Sequence, residues 1–440
     1  MSSKDSLPVP ARSKRGARLA WGLALCASTL LMTPVGSNAT AGWSAKYKVN
    51  CQTCHAPAFA RLNLDGEKFL WNGYQSPDDK EPDGNTAGKI PLGENASLDK
   101  AVRNWLMARI SINPIQVVTN GQVVNGNDTV PKVSIGNVPW LQLFVAGSIS
   151  KNISIYIENE FERNEYIQNW YYMGFHNLGG TQMANLQVGA LSPVLFMPFP
   201  DRLPMLPAIG KPGVMRVSSS NGKGDASVDM RSARFGAQYY GYSGPFMVFG
   251  GIGPGAKPAY AGQITDLNYW VGARLFTPES KEGQSALGKL EGTSIGFEYM
   301  QGTDIKGTRT VTENKWQRYM PGFNLRWADK VDIQASYVVG VEDNWNLDTL
   351  AASRKDIQFQ GDRIFASYYL NDKWILQGSW DNYWADDSKL LAEERRAYFP
   401  VITYLPRENV RITLYPGFDL RDVSDNQKHH ELLTNIRVGF

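Results

Sequence analysis

From Trp140 to the end of the chain, apolar and polar side chains alternate with a period of two, and no stretch offers the 18 apolar residues in a row that a spanning helix needs. Ile153, Ile155 and Ile157 alternate with Ser154, Tyr156 and Glu158. Val331, Ile333, Ala335, Tyr337, Val339 and Val341 stand opposite Asp332, Gln334, Ser336 and Glu342. Trp374, Leu376, Trp380 and Trp384 oppose Gln377, Ser379 and Asp381, and Val410, Ile412 and Leu414 oppose Arg411 and Thr413. Strands of this kind have one apolar and one polar face, which suits a soluble sandwich or a membrane barrel.

Three features select the barrel. The strands run to about ten residues, the length a tilted strand needs to cross a bilayer. Tight polar turns such as Ala328-Asp329-Lys330 and Asn371-Asp372-Lys373 alternate with long connections rich in Gly and Pro. Trp316, Tyr319, Trp327, Tyr368, Tyr369, Trp374, Trp380, Tyr383 and Trp384 gather near strand ends, as in aromatic girdles. The last strand closes on Phe440 on its apolar face, resembling the C-terminal strand of bacterial outer-membrane barrels. At roughly 18–20 residues per strand and connection, residues 140–440 predict a transmembrane antiparallel β-barrel of about 16 strands.

The N-terminus differs. Lys4, Arg12, Lys14, Arg15 and Arg18 precede the apolar run Leu19–Met32 and the A-x-A site Ala39-Thr40-Ala41, so residues 1–41 read as a secretory signal peptide. The formal charge of +3, from Lys+Arg 45 and Asp+Glu 42, belongs mostly to this segment and leaves no footprint for nucleic acid. Of 3 cysteines, Cys26 falls inside it. The other two stand in Cys51-Gln52-Thr53-Cys54-His55, the C-x-x-C-H signature of c-type haem attachment. Two thiols three positions apart can join the two vinyl groups of one porphyrin, and the next imidazole, His55, then ligates the iron from one face. A zinc site needs four ligands, and no further cysteine exists outside the signal segment, while a redox dithiol asks for a βαβ setting that is missing here.

Residues 42–139 therefore read as a small α-helical monohaem cytochrome c-like domain, able to plug the barrel. Within it Met107 is the single methionine, on an expected helix Leu98–Arg109 with Leu98, Val102, Trp105 and Leu106 along one stripe. Met107 is thus the candidate sixth iron ligand, with plain core packing and a ligand such as His176 from elsewhere as alternatives. The aromatic-rich segment from Phe59 to Tyr74 is expected to line the porphyrin, and the acidic loop Ser76–Asn85 to be a solvated turn region.

An exported C-x-x-C-H module joined to a porin-like barrel resembles the fused cytochrome c–porin family, the outer-membrane iron oxidases of iron-oxidising bacteria. The resemblance rests on Cys51, Cys54 and His55 and on the architecture; the run before the motif is Ala41-Gly42-Trp43-Ser44, where many members resemble Ala-Pro-aromatic-Thr. It implies one covalently bound haem c in the outer membrane of a Gram-negative bacterium. It further implies oxidation of extracellular ferrous iron and delivery of electrons to a periplasmic c-type cytochrome or copper protein. The other expectations are a porin or channel with a redox-sensitive cytochrome plug, and a conduit for a donor other than iron.

Overall fold

The protein is described here by a computed structural model. It describes residues 42–47, 49–50, 53–55, 62–75, 91–93, 96–97, 105–124, 128–162, 165–198, 230, 233–254, 267–277, 290–306, 312–328, 330–345, 354–387, 394–407, 409–422 and 428–439. The signal segment, Cys51, the loop Ser76–Asn85 and Phe440 lie outside the described residues.

Two short helices come first, α1 (Gly42–Tyr47) and α2 (Leu64–Trp71), then a small strand pair, β1 (Pro91–Gly93) and β2 (Ala96–Ser97). The sheet that follows begins with β3 (Leu106–Val124), β4 (Asp128–Ser150), β5 (Ile153–Glu162), β6 (Glu165–Phe175), β7 (Asn185–Leu191), β8 (Arg234–Ser243), β9 (Phe246–Pro254) and β10 (Leu267–Phe276). It continues with β11 (Ser294–Lys306), β12 (Thr312–Trp327), β13 (Val331–Glu342), β14 (Ile357–Tyr369), β15 (Trp374–Ala385), β16 (Arg395–Arg407), β17 (Val410–Asp419) and β18 (Glu431–Gly439). Neighbours pair antiparallel, and β18 pairs back onto β3 with Leu432 opposite Val117 and Arg437 opposite Ser111. The result is a closed antiparallel barrel of 16 strands.

Closure satisfies the backbone of every strand without water, which is what permits strands to cross a bilayer. The side chains confirm that setting. On β10, Tyr269, Val271 and Leu275 are exposed outward while Asn268, Trp270, Arg274 and Phe276 are buried inward. On β13 the outward face is Val331, Ile333, Ala335, Tyr337, Val339 and Val341, the apolar set that the alternation picks out. The apolar outer wall and polar-bearing inner wall make this an outer-membrane β-barrel. Tight connections at 151–152, 244–245, 328–330, 370–373 and 408–409 share one end with the last residues of β18. By the rule for bacterial barrels that end faces the periplasm, and the opposite strand ends, such as Leu191, Pro254, Glu342 and Asp419, face outward from the cell.

Three expectations need correction. The barrel starts at Leu106, well before Trp140, because β3 and the first part of β4 belong to it. Bulges between Ser111 and Asn113 and between Val118 and Gln122 break the period of two there. The expected helix Leu98–Arg109 is also wrong from Leu106 on, where strand β3 runs. Trp105 and Leu106 look like one helical stripe but point to opposite sides of the wall, 5% and 45% exposed. Among the girdle aromatics, Tyr319, Trp327, Tyr368 and Trp374 do face outward, but Trp316, Tyr369 and Tyr383 are buried inward.

Among the described residues, part of the lumen is packed. Residues Pro193–Phe196, a 3-10 turn of the β7–β8 connection, are fully buried among Tyr240, Met247, Phe249 and Trp270. Gly296 makes room for this segment: a Cβ there would meet Pro198 Cδ at 2.8 Å. Around this segment the inner wall carries Met, Trp and Phe, while other inner faces carry buried polar and charged side chains such as Asn268, Glu298 and Arg318.

The outer wall supplies a direct test of orientation. Leu414→Arg, in the middle of β17 on the lipid side, is expected to cost about 2–4 kcal/mol of folding free energy, against about 0–1 kcal/mol for Gln358→Arg at the outer rim. Denaturant-titrated refolding into lipid vesicles measures the difference.

Candidate functional site: the N-terminal plug

The described residues between Gly42 and Gln75 pack on the inner wall near its periplasmic end. Helix α2 starts on Asn63, whose Oδ1 accepts from the Gly66 amide at 2.9 Å, and carries Asp65 and Glu67 in its first turn where the helix dipole favours them. The C-x-x-C-H turn is folded directly onto this helix start. The Asn63 amide donates to the Cys54 carbonyl at 3.0 Å, Asn63 Nδ2 donates to the Thr53 carbonyl at 3.1 Å, and His55 bridges antiparallel to Leu62. Asn50 Oδ1 accepts from both Thr53 N and Thr53 Oγ1 at 3.1 Å. Gly66 lies so close that a Cβ would strike the Cys54 carbonyl.

Burial, and then the carboxylate of Asp65, push the Cys54 thiol above its ordinary pKa. A disulfide-exchange cysteine needs the opposite, a depressed pKa. Cys54 and His55, held in one turn against Leu62 and Asn63, are the described members of the C-x-x-C-H set. Among the described residues, no group of three or more His, Cys, Asp or Glu stands together as a metal cage.

Plug and wall meet through aromatic rings. Trp43 stacks on Tyr74 at 5.0 Å and meets Phe69 edge-on at 5.2 Å, and its Nε1 donates to the Ala146 carbonyl on β4 at 3.2 Å. Tyr74 stacks against Tyr156 and shares a 2.7 Å hydroxyl contact with Tyr172. Trp71, fully buried, packs on Tyr242 and Phe276 at 5.4 and 5.8 Å. So the aromatics expected to line a porphyrin, Phe69, Trp71 and Tyr74, are engaged with α1 and the barrel wall.

A buried charge cluster locks this contact. Glu67 forms ion pairs with Arg274 at 2.8 Å and with Arg326 at 3.1 Å, from β10 and β12. Arg326 Nη2 also donates to the Leu62 carbonyl at 2.7 Å, while Arg274 Nε donates to Ser294 Oγ and its guanidinium lies 5.7 Å from the Trp71 ring. Sequence reading does not find this cluster, since its members are hundreds of positions apart. The one signal is arginine at lumen-facing positions of otherwise ordinary strands.

His176 makes a second latch, just past β6. Tyr240 Oη donates to the Trp71 carbonyl at 2.6 Å, so it accepts from His176 Nδ1 at 2.8 Å, and His176 Nε2 accepts from Ser154 Oγ at 2.7 Å. Both ring nitrogens are therefore engaged by hydroxyls, and His176 has none to offer as an iron ligand. Gly73, at φ +71, lies against the imidazole; a side chain there would be strained and would collide with it. Met107 sits on β3 between lumen-facing Trp105 and Ser111, so its thioether points into the barrel from the wall.

No protein-family model matches the chain, and a search of curated proteins found no match. Solved structures do match in fold. A loop L8 deletion mutant of OmpT, an outer membrane protein of Vibrio cholerae, superposes with a TM-score of 0.50 at 11% identity, covering 76% of this chain and 98% of its own. An anion-selective porin from Comamonas acidovorans gives a TM-score of 0.51 at 10% identity, with 76% and 98% covered. At such identities the likeness is one of fold: a porin-type outer-membrane barrel.

Two outcomes follow for the plug. Glu67→Ala leaves two buried guanidiniums without their carboxylate, a loss of about 3–5 kcal/mol, and should raise conductance in planar-bilayer recordings. Burial holds His176 down to about 4, partly offset by the backbone of Trp71. A released imidazole titrates near 6.5, so plug docking is strongest above that value and weakens as pH falls toward 4, by at most tenfold per pH unit. Open probability measured against pH should rise over that window in the wild type and stay flatter in His176→Asn.

Proposed function

We propose that this chain is an electron conduit built on a porin-type barrel: a haem-bearing N-terminal plug, held by Cys51, Cys54 and His55, replaces the open pore. The observation that carries this reading is the position of the Cys54-His55 turn, folded onto a helix that Glu67 fastens inside the periplasmic end of the lumen. When bound, the haem would supply a one-electron relay; Cys51 and Cys54 would hold it by thioether bonds, and His55 would ligate the iron. Met107, facing the lumen, would be the candidate sixth ligand.

The protein's own part is positional. Asn50, Asn63 and Gly66 fix the turn, and the stack of Trp43 on Tyr74, with Trp43 bonded to Ala146 of β4, holds the plug to the wall. Ferrous iron at the outer face is the donor, each ion losing one electron to become ferric, and a periplasmic c-type cytochrome or copper protein takes that electron. No iron-binding side chains are needed for outer-sphere transfer.

The porin-type fold favours a second reading, a channel gated by its plug. The two separate in the purified full-length protein. A conduit shows covalently bound haem on a denaturing gel, fast reduction on mixing with ferrous iron, and little conductance in planar bilayers. A channel passes ions in steps that respond to reductant. Haem that ferrous iron leaves oxidised while another metal complex reduces it would identify a conduit for a different donor.

A further inference from the structure

The β3–β4 hairpin rises past its neighbours on the outer wall. On β4, Leu141 stands opposite Phe161 of β5, and Phe161 packs against Tyr166 of β6 at 5.5 Å; both rings are exposed, where the wall reaches its outer aromatic girdle. Above Leu141, among the described residues, β4 pairs with β3 alone: Asn137, Ile135, Val133 and Lys132 stand opposite Asn113, Ile115, Val117 and Val118. At roughly 2.5 Å of height per residue of tilted strand, Val138, Ile135 and Val133 stand about 8, 15 and 20 Å above the girdle. Val138 is 43%, Ile135 78% and Val133 59% exposed, and Ile115 on β3 is 46% exposed. Leu432 of β18, opposite Val117 and also exposed, carries the same face onto the next strand.

On β11, β12 and β16 the wall turns polar at this level. Tyr299 and Tyr319 mark the girdle, and their hydroxyls donate at 2.9 Å to Gln301 and Gln317, the next outward side chains toward the outer end. Exposed Arg396 follows Tyr398 in the same way on β16. The apolar band of a barrel ends at its girdle, so lipid tails do not account for the apolar face of the hairpin, and a contiguous exposed apolar patch marks an interaction site. The free backbone edge of β4 is blunted: Pro131 has no N–H, Lys132 is charged, and Gly136, at φ +68, bends the strand. This surface therefore offers side-chain packing and resists strand addition.

We propose that this face receives a second copy of the chain, two barrels standing side by side in one membrane with their hairpins packed through Ile115, Val133, Ile135 and Leu432. The occupant follows from the position of the patch. It continues the lipid-facing wall of Leu141 and Leu143 upward, so its partner must be a membrane protein with an apolar face at one fixed height above the girdle. A copy inserted in the same orientation presents that face at that height. A two-fold axis along the membrane normal then sets like against like, as a closed isologous dimer requires. Among the described side chains of the hairpin past the girdle, Lys132 is the one charge, and it alternates with Val133 onto the other face of the strand. Two copies thus meet without like charges between them.

The test is the monomer–dimer equilibrium of the full-length protein in lipid vesicles, read by energy transfer between donor- and acceptor-labelled copies as the protein-to-lipid ratio is varied. Val133→Glu with Ile135→Glu sets like charges face to face and should raise the ratio at half-dimerisation by about tenfold or more, while Gln317→Glu, just past the girdle on β12, should leave it within about twofold. A photo-crosslinking side chain at position 135 should join two copies of this chain in intact cells. Wild-type protein that stays monomeric at every ratio, or a Glu pair that dimerises like Gln317→Glu, overturns the proposal. So does a position-135 crosslink to outer-leaflet glycolipid, or to a different protein, with no product joining two copies. Heat-modifiable migration on gels checks that each variant forms its barrel.

Discussion

The pairing of β18 with β3 is the contact on which everything else depends. It joins Glu431–Gly439 to Arg109–Val118, residues more than 300 positions apart, and removes the two free edges that a row of strands would expose to lipid. With the edges gone, no backbone group faces hydrocarbon unpaired, and the outward side chains have only to be apolar. Inward side chains are released from that demand and can carry arginines, carboxylates and a core of methionine and aromatic rings.

The enclosed space gives the N-terminal segment somewhere to be buried. A segment with two short helices has little core of its own, but α2 borrows the wall: Trp71 on Tyr242 and Phe276, and Glu67 between Arg274 and Arg326. The ion cluster is buried, so its worth is positional more than cohesive; an apolar contact would hold as firmly but would fix orientation less. Orientation matters because the Cys54-His55 turn rides on the first turn of α2, and a tilt of that helix would carry the turn with it.

Strand-level structure was readable wherever one face is wholly lipid-facing. The alternation in β13, β15 and β17 reappears residue by residue, since lipid imposes one simple requirement on every second side chain. Legibility failed where that requirement lapses. In β3, bulges and Pro114 scramble the period, and Trp105 beside Leu106 mimics a helical stripe. Inward aromatics such as Trp316 and Tyr383 obey packing with the lumen, so proximity to strand ends misassigned them to a girdle. The C-x-x-C-H motif is local and was plain in the sequence. Glu67, Arg274, Arg326 and His176 meet only after the barrel closes, and no local pattern announces such partners.

The central claim is that electrons, and not solutes, pass through this barrel. Full-length protein reconstituted in sealed liposomes with an oxidised c-type cytochrome trapped inside tests it directly. On addition of ferrous iron outside, the trapped cytochrome should become reduced while a co-trapped small dye stays enclosed, and a Cys54→Ala variant should leave the cytochrome oxidised. Escape of the dye, or cytochrome that stays oxidised with the wild type, would contradict the account.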